Sequence, residues 1–355
     1  MTVDVVEAWN GPGRHDGTLT TVLPEHNALH DRPDRSAFEH WYFDAHLDNG
    51  YTVVGFLVKR RPEDPPLARP WVEVIIYRPD GTRRQLAQRY PARAAHFSTD
   101  EVNVRIGPNA AQVIVDDGDL PRYRIVFDED DVRLDLEFRN ELAPWMPGRG
   151  ETHFGDGGVF GWCVGAPRAS VSGRMRLGDD DWDVTGRGYA DHNWGIGAMP
   201  KVIEKWHWGR LYTEEYTLLY AVVATQERYG NLQIKPVMLA KRDDVLLSTG
   251  EVTFSEGATE YADVAGRTYP TSIALDCPGR FSLTLEVRQV LHAQALLEDI
   301  PIVGSTLMRP ITDKLIGRPG YFRFRSDFTL SVVDQEDGSV DTVAGSTLHE
   351  LVALR

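Results

Sequence analysis

The chain is poor in cysteine, in basic charge and in long apolar runs, and each shortage excludes something. Cys163 and Cys277 are its only two cysteines and lie far apart. They offer neither a disulfide framework nor a metal-type pair, and both are expected to be reduced and buried. Lys and Arg number 38 against 53 Asp and Glu, a formal net charge of −15. An acidic surface disfavours nucleic acid and anionic membranes as partners and leaves small molecules open. No apolar run reaches the about 18 residues of a membrane helix, so no stable membrane insertion is expected. Met1–Trp9 carries Asp4 and Glu7 where a signal peptide needs bases and an apolar run, which gives cytoplasmic as the expected location.

Familiar catalytic signatures are missing too. There is no phosphate-binding P-loop and no Gly-x-Ser-x-Gly elbow. Gly186 and Gly188 do not make a dinucleotide fingerprint, because no third glycine opens a helix and no βαβ unit surrounds them. No cofactor is expected. His40, His46, His192 and His207, taken with Asp191, show no recognised ligand spacing, so no metal is expected either.

What the chain has in quantity is short-period apolar pattern. Glu39–Ala45 and Tyr51–Lys59 flank Asp48-Asn49-Gly50, a strong hairpin signal. Trp71–Tyr77, Val102–Ile106, Ala111–Val115 and Tyr123–Phe127 read as further strands. Val132, Leu134, Leu136 and Phe138 alternate with Arg133, Asp135 and Glu137, as in a half-buried strand. Ala143–Gly161, with two prolines and six glycines, reads as a long loop. Tyr216–Ala224 is nearly all apolar, as if covered on both faces. Leu232–Leu239, Glu251–Phe254, Phe281–Val287, Tyr321–Leu330 and Thr347–Leu354 continue the strand pattern. Leu296–Leu315, broken by Pro301 and Pro310, reads as short helix and loop over a barrel mouth. No long amphipathic helix appears. The fold expected is all-β, in two antiparallel barrel-like domains over residues 1–198 and 199–355.

Chemistry-bearing residues concentrate in Gly186–Gly195, where Tyr189, Asp191, His192, Asn193 and Trp194 follow two glycines. Glycines let the chain turn tightly and let other groups approach. Trp206-His207-Trp208-Gly209-Arg210 follows soon after. Such density suits the floor of a site, and equally a corner whose buried polar groups satisfy one another. Asp44 and Asp191 are the candidate acids, since burial among aromatics raises a carboxyl pKa and favours proton donation. Each also suits the plainer role of accepting hydrogen bonds from backbone or Trp N–H. Trp41, Trp162, Trp194, Trp206 and Trp208 are candidates for an apolar wall, or for core.

Four segments carry a resemblance. Glu39-x-Trp41-Tyr42-Phe43-Asp44-Ala45, Ala166-Pro167-Arg168-Ala169, Gly186-x-Gly188-Tyr189-x-Asp191-His192-Asn193-Trp194-Gly195 and Trp206-x-Trp208-Gly209-Arg210 resemble the lipocalin-like AttH and carotenoid 1,2-hydratase superfamily. The resemblance implies two lipocalin-like β-barrels with a ligand pocket at or near their interface. It also implies one of two activities: water addition to a terpenoid double bond, or the pericyclic cyclisation of related natural-product Diels–Alderases. The hydratases share a His-x-Trp pair upstream of Tyr-x-Asp. Trp162, Tyr189 and Asp191 match, while the His position falls at Phe160. That departure favours a cofactor-independent cyclase acting on an apolar polyene or polyketide-like substrate. Hydration, with His192 or His207 standing in, and a non-catalytic carrier are the rivals. The expected catalytic group is Tyr189, Asp191, His192 and Asn193. The expected substrate contacts are Trp41, Phe160, Trp162, Trp194, Trp206, His207 and Trp208.

Overall fold

The computed structural model describes residues 3–9, 19–62, 64, 68–114, 120–295 and 320–354. The chain divides into two compact units, Val6–Ala8 with Leu19–Met199, and Pro200–Arg355 with Met1–Val5 and Trp9–Thr18. Among the described residues both are built of antiparallel strands joined by turns and short 3₁₀ segments. None of their helices is long and apolar enough to cross a membrane.

The first unit holds β1 (Phe38–Leu47), β2 (Thr52–Arg60), β3 (Trp71–Tyr77), β4 (Arg83–Arg89), β5 (Ala95–Phe97), β6 (Asn103–Ile106), β7 (Asn109–Ile114), β8 (Arg122–Glu129), β9 (Val132–Asn140), β10 (Glu151–His153), β11 (Val159–Leu177) and β12 (Asp180–Ile196). Neighbours run β4-β3-β2-β1-β12-β11-β9-β8-β7-β6-β5, with β10 added beside β11. The first and last strands therefore pair, and the sheet opens between β4 and β5. The second unit holds β13 (Ile203–Tyr212), β14 (Tyr216–Thr225), β15 (Gln233–Ile234), β16 (Val237–Lys241), β17 (Asp244–Thr249), β18 (Thr253–Glu256), β19 (Thr259–Ala262), β20 (Arg267–Pro270), β21 (Ser272–Cys277), β22 (Phe281–Ala295), β23 (Gly320–Val333) and β24 (Val340–Ala353). Its order is β17-β16-β14-β13-β24-β23-β22-β21-β18, with β15 beside β14 and a separate β19–β20 ribbon. Again the first strand pairs with the last. Each unit is thus a curled, half-barrel antiparallel sheet, the two-part lipocalin-like architecture that the sequence leads one to expect.

The cores follow from alternation. Val132, Leu134, Leu136 and Phe138 join Phe43, Val53, Leu57, Val74 and Phe127 inside the first sheet. Phe281, Leu283 and Leu285 join Leu218, Tyr220, Leu239 and Phe328 inside the second. β14 is buried almost throughout, as its unbroken apolar run requires. Cys163 and Cys277 are free and buried.

Two expectations need correction, and one open choice is decided. Gly186–Gly195, whose glycines allow either a bend or an extended segment, is the second half of a 17-residue strand. Its glycines serve close approach. A Cβ on Gly188 would lie 2.3 Å from Phe138 Cε1, and one on Gly195 would lie 2.0 Å from the Val159 carbonyl oxygen. The bend comes later, at Gly197, where φ is +103°. Ala143–Gly161 is not all loop, since β10 and the start of β11 lie within it. Leu232–Leu239 is two short strands, because Pro236 interrupts the ladder. Val115 and the Leu296–Leu315 stretch lie outside the described residues.

Two predictions follow from this packing. Gly188→Ala is expected to cost about 1–3 kcal/mol through overpacking against Phe138, read as a lowered urea midpoint. The second concerns His349, buried between Tyr220 OH on Nδ1 and Ser326 Oγ on Nε2, both at 3.1 Å. Burial, and then the nearby His207, push its pKa from 6.5 down to about 3. The unfolded chain therefore takes up this proton near pH 6.5 and the folded chain only near 3. Stability contributed by neutral His349 is complete above the first value and is lost as pH falls toward the second. The urea midpoint is expected to fall through that window, with a shallower slope in His349→Gln.

Candidate functional site

β12 sorts its motif by parity. Tyr189, Asp191 and Asn193 point to one face of the sheet, and Ala190, His192 and Trp194 to the other. Register then decides the company of each. Asp44 lies opposite Tyr189, Tyr42 opposite Asp191 and His40 opposite Asn193. On the other flank Trp162 faces Asn193 and Phe160 faces Gly195. Phe56 of β2 lies opposite Tyr42. Directly opposed side chains share a face, so one surface collects His40, Tyr42, Asp44, Phe56, Phe160, Trp162, Tyr189, Asp191 and Asn193. It is turned away from the apolar core, which takes Trp41, Phe43 and Ala190.

Asp191 is the node of this surface and is only 8% exposed. Its Oδ2 accepts hydrogen bonds from Tyr189 OH at 2.8 Å and Trp162 Nε1 at 3.1 Å. Its Oδ1 accepts one from Asn193 Nδ2 at 2.9 Å. Tyr42 OH donates to Asp44 at 2.7 Å, and its ring stands edge-on to Tyr189 and Phe56. Trp145 stands perpendicular to Trp162, fixing the indole that reaches Asp191. Phe38 and Phe160 meet at 6.0 Å beyond Asn193. The plain role foreseen for either acid is to accept from backbone or Trp N–H; Asp191 accepts from Trp162 Nε1, and Asp44 accepts from the Tyr42 hydroxyl.

Sequence reasoning passed over His40 as a member of this group. Its Nδ1 is buried without a hydrogen-bond partner among the described residues. Burial, then Arg61 and His192, push its pKa down to about 3, so it is a neutral imidazole at ordinary pH. The missed signal was pairing: His40 alternates with Tyr42 and Asp44, and only the β1–β12 register shows that this parity is Asp191's.

His192 goes elsewhere. It lies on the core side, flat against Trp41 with centroids 4.4 Å apart. Its Nε2 is 2.9 Å from Glu39 Oε1. The same oxygen accepts the His30 backbone N–H at 2.7 Å. His30 in turn stacks on Trp194 at 3.9 Å, and Trp194 Nε1 donates to Glu151. Burial works to raise the Glu39 pKa, yet the hydrogen bonds from His192 and His30 outweigh it and hold the carboxyl at about 2. His192 is pushed below its ordinary value by burial, against the pull of Glu39. His30, Glu39 and His192 are also the described residues whose ligand atoms cluster as a metal centre would need, all within 4.8 Å of one another. Cys163 is inert, its thiol pKa raised by burial.

Trp206, His207 and Trp208 belong to β13 of the second unit. His207 is buried, with Nε2 2.7 Å from Glu256, which also pairs with Lys205. The two tryptophans alternate with it onto the other face, where Arg210 lies over the Trp208 ring. So of the expected catalytic group, Tyr189, Asp191 and Asn193 are gathered, and His192 is on the reverse side. Of the expected contacts, Phe160 and Trp162 share the Asp191 face, while Trp41 and Trp194 flank His192.

This network predicts an order of cost. Tyr189→Phe removes a donor to Asp191 and is expected to destabilise by about 1–3 kcal/mol. Asp191→Ala leaves three donors without their acceptor and is expected to cost more. Chemical denaturation of the purified variants measures both.

Comparisons with known proteins bear on the fold and the family. Among solved structures the chain is similar to a Nitrosomonas europaea protein assigned to AttH, with TM-score 0.62 and 16% identity over 97% of this chain and 99% of that one. It is similar to kievitone hydratase from Nectria haematococca, with TM-score 0.59 and 17% identity over 96% of each. It is similar to CghA in complex with Sch210972, with TM-score 0.63 and 14% identity over 100% of this chain and 99% of that one. At such identities the likeness is one of fold. Hydroxyneurosporene dehydrogenase of Chlorobaculum tepidum is 38% identical over 68 residues, a match spanning only 18% of this chain and 18% of that relative. The AttH-like family matches residues 17–303, most of the sequence, and the chain belongs to that family.

Proposed function

We propose that the protein is a cofactor-independent enzyme that folds a small, apolar polyene or polyketide-like molecule for an intramolecular, isomerising cyclisation of the [4+2] type. The observation that carries this reading is the state of Asp191. Both its oxygens accept hydrogen bonds, from Tyr189, Trp162 and Asn193. A carboxyl group that protonates an alkene must present a proton on oxygen. This one receives three, and acts as the anchor that fixes a phenol, an indole and an amide.

Around the anchor the surface is aromatic: Phe38, Tyr42, Phe56, Phe160 and Trp162. Such a wall suits an apolar chain, and the fixed polar groups suit one carbonyl or hydroxyl on it. A cyclisation of this kind needs its two reacting ends held together, and such positioning is worth roughly 7–11 kcal/mol in favourable cases. Tyr189 OH, with its proton engaged on Asp191, offers its oxygen lone pairs to the substrate. His40 offers a neutral imidazole on the same face. A donor aimed at a substrate carbonyl lowers the barrier where charge builds up.

His40 is also the observation that favours a second reading, hydration, since a neutral imidazole next to an aromatic wall can take a proton from attacking water. The fold likeness to kievitone hydratase points the same way.

Mass and label separate the two. Linear polyenes carrying a conjugated diene and a distant alkene are incubated with the enzyme in ¹⁸O water. The expected product has the mass of its substrate and carries no label. A product heavier by one labelled water overturns cyclisation in favour of hydration, and tight binding without turnover across the panel favours a carrier.

A further inference from the structure

We propose that His30, Glu39 and His192 form a binding site for one divalent transition-metal ion of the zinc class, on the face of the β1–β12 pair opposite Asp191. The inference rests on the geometry of this trio alone and is independent of the reaction proposed above.

Three observations carry it. The first is convergence. His30 Nδ1 lies 3.5 Å from Glu39 Oε1, His192 Nε2 lies 2.9 Å from the same oxygen, and all three ligand atoms fall within 4.8 Å of one another. Zinc bonds N and O ligands at about 2.0–2.2 Å in a tetrahedron, which spaces the ligand atoms roughly 3.4 Å apart. The His30–Glu39 spacing already meets this, His192 needs to withdraw from Glu39 by about half an ångström, and the two imidazole nitrogens, within 4.8 Å of each other, need to settle to the same edge length.

The second is an orphan. As a hydrogen-bonded network the trio leaves His30 Nδ1 buried with only a long 3.5 Å contact to Glu39 Oε1 and no well-formed hydrogen bond among the described residues. Buried polar atoms seldom stay unpaired. A cation shared with Glu39 and His192 gives that nitrogen a full bond in place of the long contact. On binding, His192 presents its Nε2 lone pair and carries its proton on Nδ1, so the imidazole remains neutral.

The third is preorganisation. The His30 ring lies flat on Trp194, with 4° between planes, and the His192 ring flat on Trp41, with 6°. The His30 backbone N–H holds the Glu39 carboxylate at 2.7 Å. Supporting contacts that fix ligand orientation are a regular feature of metal centres. Two imidazoles and one carboxylate suit Zn²⁺, Co²⁺ or Ni²⁺ and do not suit Ca²⁺ or Mg²⁺, which want oxygen donors. The expectation of no metal was drawn from spacing along the chain. These ligands come instead from the segment before β1, from β1 and from β12, so no spacing motif exists to read. A bound ion would tie that leading segment to the strand pair.

The test uses the full chain, stripped with chelator and dialysed, and the metal alone as probe. Titration with Co²⁺ is expected to give visible d–d bands saturating at one ion per chain. Calorimetry with Zn²⁺ is expected to give the same stoichiometry with micromolar or tighter affinity, and the thermal midpoint is expected to rise with Zn²⁺. His30→Gln is expected to weaken Zn²⁺ roughly 100-fold, while His46→Gln, on β1 but away from the trio, leaves affinity unchanged. His30 is the chosen ligand variant because its side chain is 21% exposed and the sheet does not pack around it as it does around His192. Absence of Co²⁺ bands and of heat with Zn²⁺ in the wild-type chain overturns the proposal. So does Zn²⁺ affinity that His30→Gln leaves intact.

Discussion

The pairing of β1 with β12 is the constraint on which the first unit depends. One strand comes near the start of the unit and the other ends it, so the ladder between Phe38–Leu47 and Gly186–Gly195 closes about 150 residues of chain. Closing a long loop is entropically cheaper than it looks, since the cost grows only with the logarithm of its length. What the ladder decides is register. A slip of one residue would exchange the two faces of β1 against β12. Asp191 would then meet Trp41, and Glu39 would lose His192. Both polar networks exist only in the observed register, and each penalises the slipped alternative with unpaired buried groups.

Two buried networks back to back on one strand impose a spatial demand. From Gly188 to Gly195 nearly every residue of β12 is buried, on both faces. Large rings lie on each side: Trp162 and Tyr189 on one, Trp41, His192 and Trp194 on the other. Three glycines make room for them. Gly161 lets Trp194 cross β11, Gly188 admits Phe138, and Gly195 admits Phe38. The glycines that look in sequence like the hinges of a loop are instead gaps that a strand leaves for its neighbours' aromatic rings.

This explains what was legible beforehand. Strands with an apolar side toward a core announced themselves by alternation, as β9 and β22 did. β4, with sequence Arg83-Arg84-Gln85-Leu86-Ala87-Gln88-Arg89, did not, because it is an edge strand with mostly exposed, charged side chains. The beginning of β24 was missed for the same reason, since its first residues are exposed. At the site, the residues on the Gly186–Gly195 motif could be named, since the motif is contiguous. That Tyr189 and Asp191 share a face follows from their spacing if the segment is extended, but the glycines left a bend equally open until the strand was seen. His40 and His30 stayed hidden because their roles depend on register and on a segment outside any strand. Chemistry assembled across strands leaves no spacing in the chain.

The same division separates Asp191 and His192, which are adjacent in sequence and lie on opposite faces of the sheet. Adjacent residues of a strand point apart, so a proton cannot pass directly between these two side chains without leaving the sheet's face. A dyad of the usual acid–base kind on this strand has to use residues two apart or residues across the ladder. The pair two apart is Tyr189 and Asp191, which already share a hydrogen bond, and the residue across from Asn193 is His40. The polar groups that this face presents in that way are a phenol held by a carboxylate and a neutral imidazole on the next strand. Both can hydrogen-bond a substrate oxygen, and neither carries a mobile charge into the aromatic surface. A surface of that kind rewards shape and the placement of one polar group more than it rewards acidity, which is the ground on which cyclisation is proposed above ahead of hydration.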